Sequence, residues 1–402
     1  MFNKFLIFIS IFTPLTNLYP LLATISGVSF GAITFVFCII NIMILVINYN
    51  DLYQFIRKKL FYNFLFFLLI APLIVIFYTY EFNFRSIFLN MYFLSLVAVS
   101  AVLCKEDHKY LLRLTIFAAL LLNLTTSYLS VSYPELFLIM ADSFDKSIYV
   151  GGRAFGLFLQ PNVLGHSSLL ILILSIFAFY NKNDKKYFFV ALSLSIIIIV
   201  LSGSRSTFLF MLIALFAHYF LVKSKSLKKY FSYEKYFFTL LAVASLSVLN
   251  SPEILNLFEG NLSRLKTAFY VTEFSKDASL QTRIYKREAY IERIEKAPIF
   301  GYGLGTQFSH KEEGKLKGSA HNVHVDIVYQ GGIIFYLFAF IFFTYLFVSI
   351  FKLRKSNKLL WSYGSVLILI FFGLSFVTSS LMQLRVLYIV FGPLFILSHS
   401  IK

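Results

Sequence analysis

The sequence predicts an all-α, polytopic membrane protein with about twelve transmembrane helices. Three observations predict it. The first is composition: of 402 residues, 59% are hydrophobic and 14% charged, with a mean hydropathy of +0.78, too apolar for a soluble globule of this length. The second is a succession of apolar runs fit to cross roughly 30 Å of hydrocarbon. They lie near 3–24, 28–48, 60–80, 86–104, 110–131, 163–180, 187–203, 206–222, 236–250, 322–350, 359–378 and 385–400. The third is the placement of charge. A net charge of +17 would suggest nucleic acid as partner of a soluble protein, but here the cations sort by loop, so no nucleic acid is expected.

One alternating set of loops holds Lys4, Arg57-Lys58-Lys59, Lys105 with Lys109 and Arg113, Lys182 with Lys185-Lys186, Lys223 to Lys235, Lys352 to Lys358, and Lys402. The opposite set holds single cations, Arg85, Lys146, Arg153, Arg205 and Arg385, plus one long segment. Excess Lys and Arg in short loops marks the cytoplasmic side. Both termini are therefore expected in the cytoplasm and the segment 251–321 outside. The first apolar run follows Lys4 as in a signal peptide, but it continues past Pro14 and Pro20 without a small-residue cleavage site and reads as a membrane helix. The two cysteines, Cys38 and Cys104, predict no disulfide, and no Cys/His cluster has zinc spacing. No metal and no cofactor are expected.

Taken in order, residues 1–131 supply five spans and read as scaffold. The outer loop 132–162 follows, with a Gly151-Gly152-Arg153 turn and then Gln160-Pro161-Asn162, which reads as a helix start with Asn162 either as N-cap or as substrate ligand. The positive end of that helix suits an anion. His166, one turn on, reads as a packing residue. Leu201-Ser202-Gly203-Ser204-Arg205 is a very short outer turn; its arginine is either a snorkelling cation or a fixed guanidinium for a phosphate. In the long outer loop, 279–296 reads as an amphipathic helix with Ile284, Ile291 and Ile294 on the membrane or core side and Arg283 and Arg287 on one face. Pro298 ends it, and Gly301, Gly303 and Gly305 imply a backbone path close to something. His321-Asn322 then opens a long apolar helix on which Asn322 and Asp326 form one stripe beside His321 and His324. Arg385 opens the last span.

The chain lacks a DxD pair, a P-loop, a GxSxG elbow and an HExxH motif, which argues against metal-dependent nucleotide-sugar transfer, NTP hydrolysis, an α/β-hydrolase and a zinc protease. Left over are outer arginines and a histidine. Guanidinium groups can stabilise the charge that develops as a pyrophosphate departs, in place of a divalent ion, and imidazole can take an acceptor hydroxyl's proton near neutral pH. These residues point to glycosyl transfer from a lipid pyrophosphate.

Arg153 with Gly156 and Pro161-Asn162, Ser204-Arg205, Arg283 followed by Pro298 and Gly301-x-Gly303-x-Gly305, and His321-Asn322 with Gly331-Gly332 occur in an ordered set. Over about 150–335 this set resembles the bacterial O-antigen ligase and Wzy polymerase superfamily. The resemblance implies a GT-C-like fold and a metal-independent inverting glycosyltransferase of the inner membrane, with both termini cytoplasmic and a periplasmic active site. Its donor would be a glycan linked to undecaprenyl pyrophosphate and its acceptor a second glycan, with the bilayer and a chain-length regulator as further partners. It implies that Arg205 and Arg283 hold the pyrophosphate and that His321 is the acid–base or acceptor-orienting group, so these three are the expected catalytic residues. Arg153, Asn162, Arg287, Asn322, Asp326 and Arg385 are the expected substrate-binding residues; at Arg287 relatives often carry an aromatic. The expected organisation is a transmembrane scaffold over 1–131, a ligase/polymerase-like core over 132–335 with periplasmic loops 132–162 and 251–321, the latter holding short helices, and C-terminal transmembrane helices over 336–402. The spacing from His321 to Gly331-Gly332 favours a repeat-unit polymerase. Alternatives are an O-antigen ligase joining polymer to lipid A-core, a transporter or flippase, and a structural protein with an outer docking loop.

Overall fold

A computed structural model describes residues 2–50, 53, 62–63, 65–78, 84–141, 153–179, 184–222, 278–303, 320–378 and 384–396. Among the described residues regular structure is helical. In chain order the helices are α1 (Phe2–Thr16), α2 (Tyr19–Ser26), α3 (Phe30–Ile47), α4 (Ala71–Tyr78, entered through a π-helical turn at Phe66–Ile70), α5 (Phe84–Leu103), α6 (Lys109–Ser132), α7 (Glu135–Ala141), α8 (Pro161–Ala178), α9 (Lys185–Ser202), α10 (Arg205–Val222), α11 (Ala278–Ile294), α12 (Val323–Ser356), α13 (Lys358–Ser375) and α14 (Arg385–Ile396). Five of them, α3, α6, α8, α12 and α13, are long and apolar enough to cross a membrane, or six crossings if α1 and α2 together make one. Shorter apolar helices stand at most of the other runs, while 236–250, Gly151-Gly152, Gly305 and most of the loop 251–321 lie outside the described residues.

The run 3–24 is not one straight helix. Asn17 has a left-handed backbone (φ 52°) and Pro20 opens α2, so α1 and α2 meet at 102°. The broken backbone is not left open, since the Leu18 N–H bonds Thr13 O at 3.1 Å and Asn17 Nδ2 donates to Leu157 O at 2.8 Å.

Side-chain pairs fix how the helices run against one another. Asn3 with Asn48 and Ser10 with Asn41 make α1 and α3 antiparallel, whereas Phe35 on Phe88 and Asn41 Nδ2 to Ser95 Oγ at 2.8 Å make α3 and α5 parallel. His218 to Ser362 at 2.8 Å and Gly373 against Phe210 make α10 and α13 antiparallel. These directions agree with those expected from alternate crossings. At the centre stands α8, buried without interruption from Leu164 to Ala178 and packed on α6, α9, α10, α13 and α14. One end of the bundle gathers Tyr19, Phe30, Ser130, Arg153, Ser202 and Arg385; the other holds Asn3, Asn48 and the pair Arg113 with Asp184.

The element that shapes the first end is a break in α12. Gly332 (φ 65°, ψ −172°) interrupts its helix and frees backbone groups on both sides. The segment after α11 takes them up. Tyr302 N–H bonds Tyr329 O and Gly303 N–H bonds Gln330 O, both at 2.9 Å; Ile333 N–H returns to Pro298 O at 2.9 Å and Ile334 N–H to Ile299 O at 3.4 Å. Such close approach needs glycine: a Cβ on Gly332 would lie 2.0 Å from Ile299 O, and one on Gly301 2.6 Å from Tyr329 O. Tyr302 stacks on Tyr329 at 4.9 Å between ring centres, and Tyr290 lies tilted against the same ring at 4.6 Å. Gly332→Ala should therefore destabilise the protein by roughly 2–4 kcal/mol through backbone strain and overpacking. A thermal unfolding midpoint in detergent equal to that of the wild type would refute the clasp.

Candidate functional site

The turn that carries His321 is framed from both sides. Asn322 caps α12, its Oδ1 accepting from His324 N at 2.9 Å and Val325 N at 3.2 Å. One turn on, Asp326 is buried and reaches back, its Oδ1 accepting from Ala320 N at 3.2 Å. Between these two bonds His321 adopts a left-handed backbone (φ 55°), unusual for a residue with a side chain and held only because its surroundings fix it. Asn322 and Asp326 together frame the turn that aims the imidazole. Burial, then the positive charges of Arg283 and Lys286, lower the His321 pKa to about 4, so the ring is uncharged near neutral pH.

Those charges come from α11, which packs on α12 beside the clasp. The helix forms about where expected; its core-facing residue is Tyr290, 2% exposed, while Ile284 and Ile291, 40% and 45% exposed, lie on the helix surface. Arg283 and Arg287, one turn apart, are both half-buried, and Arg287 Nε is buried without a hydrogen-bond partner. The charge of Arg283 reaches His321 and also His166 on α8.

Arg205 opens α10 two residues after Gly203, whose left-handed backbone (φ 57°) ends α9, and it is half-buried. The turn before it is tightly made. Ser204 and Thr207 share a hydroxyl bond of 2.7 Å, and α8 presses on it through Gly165, where a Cβ would sit 2.9 Å from Ser202 Oγ and 3.0 Å from Thr207 Oγ1. Arg205, His166 and Arg283 thus belong to one end of the bundle, linked through α8.

Arg153 and Asn162 depart from the expectation. Pro161 is the first residue of α8 and Gln160 its cap, so Asn162 lies inside the helix and does not cap it. Its side chain instead accepts from Arg153 Nη2 at 2.8 Å, while Arg153 Nε donates to Ser202 O at 2.7 Å and Ala154 N–H bonds Leu201 O at 3.0 Å. At 9% exposure Arg153 is a buried staple from the loop to the end of α9. Arg385 also has a local occupation, its guanidinium lying 4.4 Å from the ring centre of Tyr19 and 4.7 Å from that of Phe30. The sequence reading left out Lys286 and gave His166 no role. A histidine one turn beyond Asn162 in an apolar run was the signal for the second.

Arg153→Ala should cost about 1–3 kcal/mol of stability, because it strands the buried Ser202 carbonyl and the half-buried Asn162 oxygen. Arg153→Lys should recover part of that, since one ammonium cannot span both acceptors as the fork does. Thermal unfolding of the purified protein checks both, and a midpoint insensitive to Arg153→Ala would exclude the staple.

Comparison with known families bears on the same residues. Residues 189–339 match the family model described as O-Antigen ligase. No curated protein matches the chain. The matched stretch runs from within α9 into α12 and contains Arg205, Arg283, Arg287, His321, Asn322, Asp326 and both halves of the clasp; it leaves out Arg153, Asn162, His166 and Arg385. Over that stretch the chain is similar to the O-antigen ligase family.

Proposed function

We propose that this protein is a glycosyltransferase of the bacterial inner membrane that moves an oligosaccharide from undecaprenyl pyrophosphate to a second glycan at the periplasmic face, as a repeat-unit polymerase of O-antigen, capsule or exopolysaccharide. The observation that carries the reading is the action of Arg283 on the imidazole of His321, at the bundle end where Arg205 stands and inside the stretch matched to the family. The excess of cations in the opposite set of loops supports the periplasmic assignment. Arg205 and Arg283 hold the pyrophosphate. The acceptor hydroxyl attacks the anomeric carbon, a new glycosidic C–O bond forms as the C–O bond to the pyrophosphate breaks, the hydroxyl proton passes to His321, and undecaprenyl pyrophosphate leaves with the electron pair. The guanidinium groups stabilise the charge that grows on the leaving oxygens.

The depressed pKa of His321 gives the site an order of events. A ring with a pKa of about 4 is a weak base. Part of the depression comes from Arg283 and Lys286, and a bound pyrophosphate offsets their charge, so donor binding raises the proton affinity of His321 just when a base is needed. The ligase alternative has support of its own in the description of the matched family, O-Antigen ligase.

Arg205→Ala, Arg283→Ala and His321→Ala should each reduce glycan transfer by about 100-fold or more, with the protein still in the membrane. Arg283→Lys should keep part of the activity, because a point charge replaces a bidentate fork. The readout is the polysaccharide ladder on a gel, and a ladder of wild-type length in any alanine variant refutes the assignment. Deletion separates the two transferase readings: loss of a polymerase leaves core with one repeat unit, and loss of a ligase leaves bare core. In vitro, activity is lost as pH falls through the His321 pKa. The acid limb of kcat/KM, which reports the free enzyme, should lie at lower pH than that of kcat, which reports the donor complex. Coincident limbs would exclude the coupling.

A further inference from the structure

Below the Arg153–Asn162 staple stands an imidazole that the reaction as written does not use. His166 is 2% exposed, and neither of its ring nitrogens has a hydrogen-bond partner. A buried polar atom left unsatisfied costs roughly 1–3 kcal/mol, and a phenylalanine or leucine in its place would avoid that cost. Its surroundings are those of the site. Asn162, one turn earlier on the same face of α8, is bonded to Arg153; Gly165 beside it backs the Ser202–Thr207 turn from which Arg205 departs; and the Arg283 charge reaches it as it reaches His321.

We propose that His166 is a substrate ligand, donating a ring N–H to an oxygen of the diphosphate that Arg283 also holds. The proposal rests on the transferase reading above and adds a residue to it. In its uncharged form an imidazole offers one donor and one acceptor. With neither nitrogen engaged by the protein, the donor is free for an anionic oxygen. His166 and His321 then divide the labour. The one at the helix end takes the proton from the acceptor, and the one inside α8 grips the leaving group.

The test is binding of farnesyl pyrophosphate, a short isoprenyl diphosphate, to the full chain in detergent, followed together with the thermal unfolding midpoint. His166→Phe should weaken binding roughly 10-fold or more, the worth of a hydrogen bond to a charged group. Its midpoint should equal or exceed that of the wild type, because an unsatisfied buried polar group has gone. A histidine that merely packs would give the reverse, unchanged affinity with a lower midpoint. His166→Gln, which keeps a donor, should restore part of the affinity. Should phenylalanine prevent folding, His166→Leu takes its place under the same criteria. Wild-type affinity in the folded His166 variants, with affinity lost in Arg283→Ala, overturns this proposal and leaves the transferase reading standing. Wild-type affinity in Arg283→Ala as well overturns both.

Discussion

Backbone hydrogen bonding near the membrane is the constraint on which this structure depends. Within a bilayer an N–H or C=O without a partner costs several kcal/mol, so a helix can be interrupted there only where something else supplies the missing bonds. The break at Gly332 in α12 is supplied by four main-chain bonds with residues 298–303. That exchange ties the segment after α11 to the middle of α12 and so decides where Arg283, Lys286 and Arg287 stand relative to His321. The two glycine signatures, far apart in sequence, are two halves of one contact.

The second layer of organisation is the use of polar side chains as fasteners. Asn322 and Asp326 hold His321 in a left-handed turn, and Arg153 with Asn162 holds a loop to the end of α9. In lipid, where apolar helices gain little from meeting each other, hydrogen bonds and small residues carry much of the specificity of packing. Gly165 against Ser202 and Thr207 shows the same economy of space at the turn leading to Arg205.

How much of this was legible in the sequence depends on the range of the interaction. Helix positions such as 28–48 and 110–131 follow from apolar length, and the mutual directions of the helices follow from alternate crossings. Gly301 and Gly303 announced a close backbone approach, though not to what. The bend after α1 stayed hidden because its run is apolar for most of its length and the decisive residue, Asn17, takes its unusual backbone only in context. The local partners of Arg153 and Arg385, Ser202 and Tyr19, were not legible because they are remote in sequence. That of Asp326 was hidden for the opposite reason. Its partner is a backbone N–H six residues away, which no side-chain pattern reveals.

The Arg153 staple also has a mechanical meaning. Helices α8 and α9 form a hairpin, joined by a loop at one end; at the other, Arg153 and Ala154 bond Ser202 and Leu201. Pulling the unlooped ends apart would strip a guanidinium of its acceptors in a medium that offers few substitutes. The pair therefore behaves as one stiff strut, and a load applied to either helix at this end is shared by both.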